Sequence, residues 1–260
     1  MRFKRFTVAF SCFFVLLASI SFLLLLSHYN FNLSAITNVN EQTTAEETTV
    51  PAPKVEGVRN YLLVCTADAD STMRFAAVVT ADMNNKALSI KALDTTASIS
   101  AAGCTGTFAQ HLAFGGSPQL VLAAEKMSGL KIDKYIRSTD SKFKSIINYV
   151  GGIEMDVEKA IDIRTPELTA IIGAGKQTMT GDTMLKYIRT FESNPTAQTE
   201  IIASMIEQKL TPSNLSKADS YYKRIINLAD SNISVVDFAE MKRSFEALLY
   251  ENTSVSVTVN

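Results

Sequence analysis

From Phe6 to Leu26 the chain is apolar and uncharged, its polar positions being only Thr7, Ser11, Ser19 and Ser21. At about 1.5 Å rise per residue, some 20 such residues span a hydrocarbon core about 30 Å thick. After a polar stretch the pattern changes to short apolar runs. Tyr61 to Cys65 is unbroken, as in a buried strand, and Phe75 to Val79 and Ala87 to Leu93 flank Asp82-Met83-Asn84-Asn85-Lys86 as a hairpin. A helix is predicted after Gly115-Gly116, with Ser117 as N-cap, Pro118 at the first helical position and Leu120, Ala123, Ala124 and Met127 on one face. A second helix opens near Asp140, carries Phe143, Ile146, Ile147 and Val150, and stops at Gly151-Gly152. Ile153 to Val157 alternates as a half-exposed strand. Helices follow from Thr180-Gly181-Asp182, after Pro195, around Tyr221 to Leu228 and over Val236 to Leu249, with a last strand at Val255 to Val259. Strands interspersed with helices predict an α/β domain, a central mixed sheet with helices on both faces.

The pattern divides the chain into a cytoplasmic tail and transmembrane helix (1–27), a flexible linker (28–57) and a folded domain (58–260). Arg2, Lys4 and Arg5 precede the apolar run and nothing basic follows until Lys54, so the tail is expected in the cytoplasm and the domain outside the cell membrane. A cleaved signal peptide is the alternative, and it also exports the domain. The linker is rich in Asn, Thr and Glu, with Pro51 and Pro53, and has too little apolar surface to offset ordering entropy.

Charge narrows the function. Without Arg2, Lys4 and Arg5 the chain keeps 22 basic and 26 acidic residues, which argues against a nucleic-acid partner. Cys12 lies in the apolar run. Cys65 and Cys104 are the exported cysteines, either a disulfide or two buried free thiols, and are expected on the same side of the domain. His28 and His111 are the only histidines, too few for a His-based metal site, and a Ser-His-Asp triad is not expected.

The ordered segments resemble the LytR-CpsA-Psr family of cell-envelope proteins. The resemblance is carried by Phe114-Gly115-Gly116, Ile132-Asp133-Lys134-Tyr135, and Gly151-Gly152-Ile153-Glu154-Met155-Asp156-Val157. Met179-Thr180-Gly181-Asp182 through Leu185-Lys186-Tyr187-Ile188-Arg189 adds to it, as does the strand ending in Asp94-Thr95. It implies a phosphotransferase moving a glycopolymer from a polyprenyl-pyrophosphate carrier to peptidoglycan, with an apolar lipid channel, arginines on the pyrophosphate and acidic residues holding Mg²⁺. Carried over by position, Asp94 and Arg189 become the catalytic candidates, Asp94 the metal ligand, and Arg74, Arg189 and Gln198 the pyrophosphate-binding set.

The chain departs from the family pattern at several positions. Leu93 stands where the family has Arg, after Ala92 in place of Pro; Arg74 falls near an expected Asp; Ala109 replaces an Asn; Phe191 and Ala197 stand where arginines are usual. Two readings follow: a phosphotransferase with a diverged site, or a catalytically degenerate lipid-binding or scaffold module. A generic adhesion or solute-binding ectodomain is a third, supported by topology alone. The lipid channel is expected between sheet and helices, lined from Leu120 to Leu130 and from Phe143 to Val150.

Overall fold

The computed structural model describes residues 56–69, 72–250 and 256–259. The predicted transmembrane helix, nearly all of the linker, Cys12 and His28 lie outside the described residues.

The central strands are β1 (Val58–Thr66), β2 (Met73–Asp82) and β3 (Ala87–Ala92), an antiparallel meander whose second turn is the predicted hairpin. β6 (Lys134–Thr139) runs parallel to β1, β11 (Asp230–Ser231) antiparallel to β6, and β12 (Ser256–Val259) parallel to β3. Among the described residues this gives one mixed sheet in the order β11-β6-β1-β2-β3-β12. Three small antiparallel ribbons surround it: β4 (Ile99–Ala101) with β5 (Cys104–Gly106), β7 (Ile153–Val157) with β10 (Gly175–Met179), and β8 (Ile161–Arg164) with β9 (Thr169–Ile172). Sequence reading missed β4, β5, β6, β8, β9, β10 and β11, each of six residues or fewer and too short to show a sustained pattern.

Helices cover both sheet faces, and alternation along β1 and β2 assigns the residues. Tyr61, Cys65, Phe75, Ala77 and Val79 pack with α2 (Asp140–Tyr149), α3 (Gly181–Arg189), α4 (Pro195–Lys209) and α7 (Val235–Leu249) through residues such as Phe143, Ile188, Ile202 and Leu248. Leu62, Val64, Ala76 and Val78 pack on the other face with Phe108, Leu120, Ala123 and Ala124 of α1 (Phe108–Ser128). α5 (Pro212–Leu215) and α6 (Ala218–Ile225) complete the chain.

The predicted start of α1 needs correction. The helix opens at Phe108, where Gln110 accepts the Thr107 amide at 2.8 Å, and continues across a break at Gly115 and Gly116. Gly116 has φ +66°, a conformation that breaks the helical ladder and that glycine reaches without steric cost. Ser117 therefore lies within a kinked helix, and its hydroxyl donates to Asp230 of β11. His111, fully buried in the first half, joins the two halves: Gln119 Nε2 lies 3.1 Å from His111 Nδ1, and the Ile99 carbonyl 3.0 Å from Nε2.

The contact between α2 and α3 explains Gly181. A Cβ at that position would lie 2.1 Å from the Lys144 carbonyl oxygen, so only glycine lets the helices approach this closely. This packing seats the start of α3 against α2, and the helix runs on to Arg189.

Candidate functional site

The site forms where β1 and β6 end, β2 begins and α3 gives way to α4. Arg74, the second residue of β2, is mostly buried and reaches the first turn of α2. Its Nε and Nη2 donate to the Asp140 carboxylate at 2.9–3.2 Å, a two-pronged pair. Its Nη1 donates to Glu192 Oε1 at 3.0 Å. Arg189, in the last turn of α3, donates from Nε to the same Glu192 oxygen at 3.3 Å and from Nη2 to the Glu167 carbonyl at 2.6 Å. Gln198 of α4, 1% exposed, donates to the Arg74 carbonyl at 2.8 Å. Three of the four sequence candidates thus converge.

A cleft of about 540 Å³ opens onto this cluster. Arg189, Glu192 and the hydroxyl residues Thr72, Thr95, Thr96 and Thr107 line it. Asp94 sits beside the cleft in sequence but makes a local turn: Oδ1 accepts the Thr96 amide at 2.9 Å and the Thr96 hydroxyl at 2.7 Å. The Thr96 hydroxyl, then its amide, hold the Asp94 carboxyl below the usual carboxylate range. Asp94 faces a second cavity of about 560 Å³, with Lys91, Thr196 and Thr199.

Asp140 and Glu192 were not among the sequence candidates. Asp140 had a visible signal as the acid opening a helix. Glu192 had a local signal in its (i, i+3) spacing from Arg189, but its pairing with Arg74, 118 residues away, had none. The departures from the family pattern also have structural settings. Leu93 is 2% exposed in the core on the α1 face, and Phe191 packs edge-on against Tyr187 with ring centroids 5.4 Å apart. Ala197 is half-buried in the first turn of α4, where its amide donates to Asn194.

Two expectations fail. Leu120 and Phe143 pack on opposite faces of the sheet, so no single channel between sheet and helices is lined by both segments. The apolar groove of about 230 Å³ lies elsewhere, among Ile136, Leu210, Tyr222, Ile225, Ile233 and Phe238. Cys65 points to the α2 face, whereas Cys104 lies on the β4–β5 ribbon packed against α1. The two do not share a side, and both are free thiols. Burial, and then the nearby Asp140 charge, push the Cys65 thiol up to about 12.

The same architecture recurs in solved structures. A putative transcription regulator from Eubacterium siraeum superposes with a TM-score of 0.67 at 21% identity, covering 85% of this chain and 89% of that one. Bacillus subtilis TagV superposes at 0.62 and 18% identity, covering 79% and 85%. In sequence, the polyisoprenyl-teichoic acid–peptidoglycan teichoic acid transferase TagV of Bacillus subtilis is 25% identical over 174 residues, 62% of this chain and 44% of that protein. The matches span less than half the length of the curated relatives. The LytR_cpsA_psr family model matches residues 59–258, taking in nearly every element from β1 to β12, and the chain belongs to that family.

Proposed function

We propose that this protein serves bacterial cell-envelope biogenesis by binding glycopolymers carried on polyprenyl pyrophosphate, on their way to peptidoglycan. The carrying observation is that Arg74 and Arg189, distant in sequence, aim their guanidinium groups at one carboxylate oxygen beside a hydroxyl-lined cleft. Guanidinium forks match the geometry and charge of a pyrophosphate. Threonine hydroxyls can donate to its remaining oxygens. The TagV relative is named for teichoic acid transfer to peptidoglycan, which supports the same substrate class. The apolar groove of Ile136 and Tyr222 suits part of an isoprenoid chain. Anchoring by the run from Phe6 to Leu26, with the domain outside the cell membrane, completes this reading.

Within it, Asp94 is the residue that would hold Mg²⁺; its Oδ1 accepts from Thr96, and it lines the cavity with Lys91 that neighbours the arginine cleft in sequence. Mg²⁺ is often held by one or two carboxylates, with waters and substrate phosphate completing the shell. The ion would supply charge neutralisation on the pyrophosphate.

Leu93 in the core and Phe191 against Tyr187 favour a second reading, capture without transfer. At those positions the chain offers no guanidinium to charge developing on a leaving polyprenyl phosphate. The test incubates the full chain in detergent with a polyprenyl-pyrophosphate-linked sugar, peptidoglycan fragments and Mg²⁺. Lipid binding and release of polyprenyl phosphate are measured. The expected result is binding that weakens at least tenfold in Arg189→Ala, with little release. Robust Mg²⁺-dependent release lost in Asp94→Ala selects the transferase, and absence of binding overturns both readings.

A further inference from the structure

Glu192 holds the position an anionic ligand would take. One of its oxygens accepts from Arg74 Nη1 at 3.0 Å and from Arg189 Nε at 3.3 Å, bridging two guanidinium groups as a phosphate oxygen would. The two carboxylates on Arg74 differ in setting. Asp140 begins a helix, is 15% exposed in its side chain and grips Arg74 with two prongs. Glu192 lies in the turn between α3 and α4, is 34% exposed, and meets Arg74 through a single oxygen at the edge of the cleft. Arg189 is anchored on its far side by the Glu167 carbonyl, so releasing Glu192 leaves its Nε aimed at the same point. With Glu192 in place, the charges of Arg74 and Arg189 are balanced by Asp140 and Glu192, and the cleft has no net cationic pull on an incoming anion.

We propose that Glu192 is an internal competitor for the pyrophosphate: the ligand binds by displacing its carboxylate from Arg74 and Arg189, while Asp140 keeps Arg74 in place. This inference rests on the proposed binding of a lipid pyrophosphate and adds that Glu192 sets its affinity. An uncharged amide at the same position keeps the shape and a weaker acceptor, and yields to a dense anion more readily than a carboxylate does.

The test is titration calorimetry of the full chain in detergent with farnesyl pyrophosphate, using farnesol as the uncharged control. Glu192→Gln should tighten farnesyl pyrophosphate tenfold or more and leave farnesol unchanged, and adding Arg189→Gln should remove the gain. Farnesyl pyrophosphate bound equally or more weakly by Glu192→Gln overturns the competitor role while leaving the binding reading intact. No binding by wild type and variant alike overturns both. A second readout needs no substitution: the NMR signals of the two groups that meet Glu192, Arg189 Nε–H and Arg74 Nη1–H, should shift on saturation with farnesyl pyrophosphate, while Arg74 Nε–H, held by Asp140, stays in place. Unchanged signals at saturation also overturn displacement.

Discussion

Arg74 and Asp140 form a two-pronged ion pair across 66 residues of chain, tying the start of β2 to the start of α2. Side-chain exposures of 11% and 15% place it mostly out of water. Removing one partner of such a pair strands the other's charge, while replacing both with apolar groups relieves the desolvation cost. Asp140→Ala leaves the mostly buried Arg74 with Glu192 as its remaining carboxylate, and is expected to lower unfolding free energy in urea by about 2 kcal/mol. Arg74→Met combined with Asp140→Leu should recover most of that loss. A double variant as unstable as the single one would show that packing, not stranded charge, sets the cost.

Cys65 supplies a prediction about pH. Burial pushes its thiol from the ordinary value of 9.0 up to about 12. The thiolate is the reactive form, so Cys65 in the folded protein should resist iodoacetamide at pH 8 while the half-buried Cys104 reacts first. The sign for stability follows. Between about 9 and 12 the unfolded chain has lost the thiol proton that the folded chain retains, so stability falls as pH rises through that window. Stability curves of wild type and Cys65→Ala should converge there, since the variant lacks this term. Parallel curves, or alkylation of Cys65 ahead of Cys104, would count against the buried thiol.

At Gly181 the geometry leaves no room for a side chain. The Cβ of an alanine would overlap the Lys144 carbonyl, forcing α2 and α3 apart. Gly181→Ala should lower stability by about 2–3 kcal/mol, toward the upper end of overpacking costs. Gly173→Ala, where nothing lies within 4 Å, should have a small effect. Since α3 positions Arg189, partly folded Gly181→Ala should also bind farnesyl pyrophosphate more weakly. Equal melting temperatures for the two variants would contradict this contact.

Long periodic segments were legible in the sequence. α2, α4 and α7 carry apolar residues at helical spacing, and the β2–β3 hairpin is marked by its Asn-rich turn. The first half of α1 was lost to Gly115-Gly116, a local signal that reads as a helix start but here only kinks one. The sheet's two faces explain why the channel expectation failed. Apolar stripes on α1 and α2 look alike in sequence, and only the topology sends them to opposite sides. At the site, Arg74, Arg189 and Gln198 were legible by position, but the carboxylates that hold the two arginines were not. The Arg189–Glu192 pair sits at local (i, i+3) spacing, but the long-range pairs of Arg74 with Asp140 and Glu192 leave no local pattern.

Leu93 sets the last prediction. At this position the family pattern carries an arginine, and Leu93→Arg with Phe191→Arg would, on sequence grounds, rebuild the pyrophosphate site. Leu93 is 2% exposed in the core with Phe108 and Leu120, and its amide donates to the Ala76 carbonyl at 2.7 Å. An arginine there either buries its charge without a partner or forces the end of β3 to move, and an unpaired buried charge costs several kcal/mol. Leu93→Arg is expected to unfold the domain or lower its melting temperature by more than about 8 °C, the shift corresponding to at least 2 kcal/mol in a domain of this size. Phe191→Arg, at a half-buried position, should be milder, losing chiefly the contact with Tyr187. Thermal scans of the two single variants separate these effects before any binding is measured. A Leu93→Arg protein that melts like wild type and binds farnesyl pyrophosphate more tightly would show that the new guanidinium reaches the cleft.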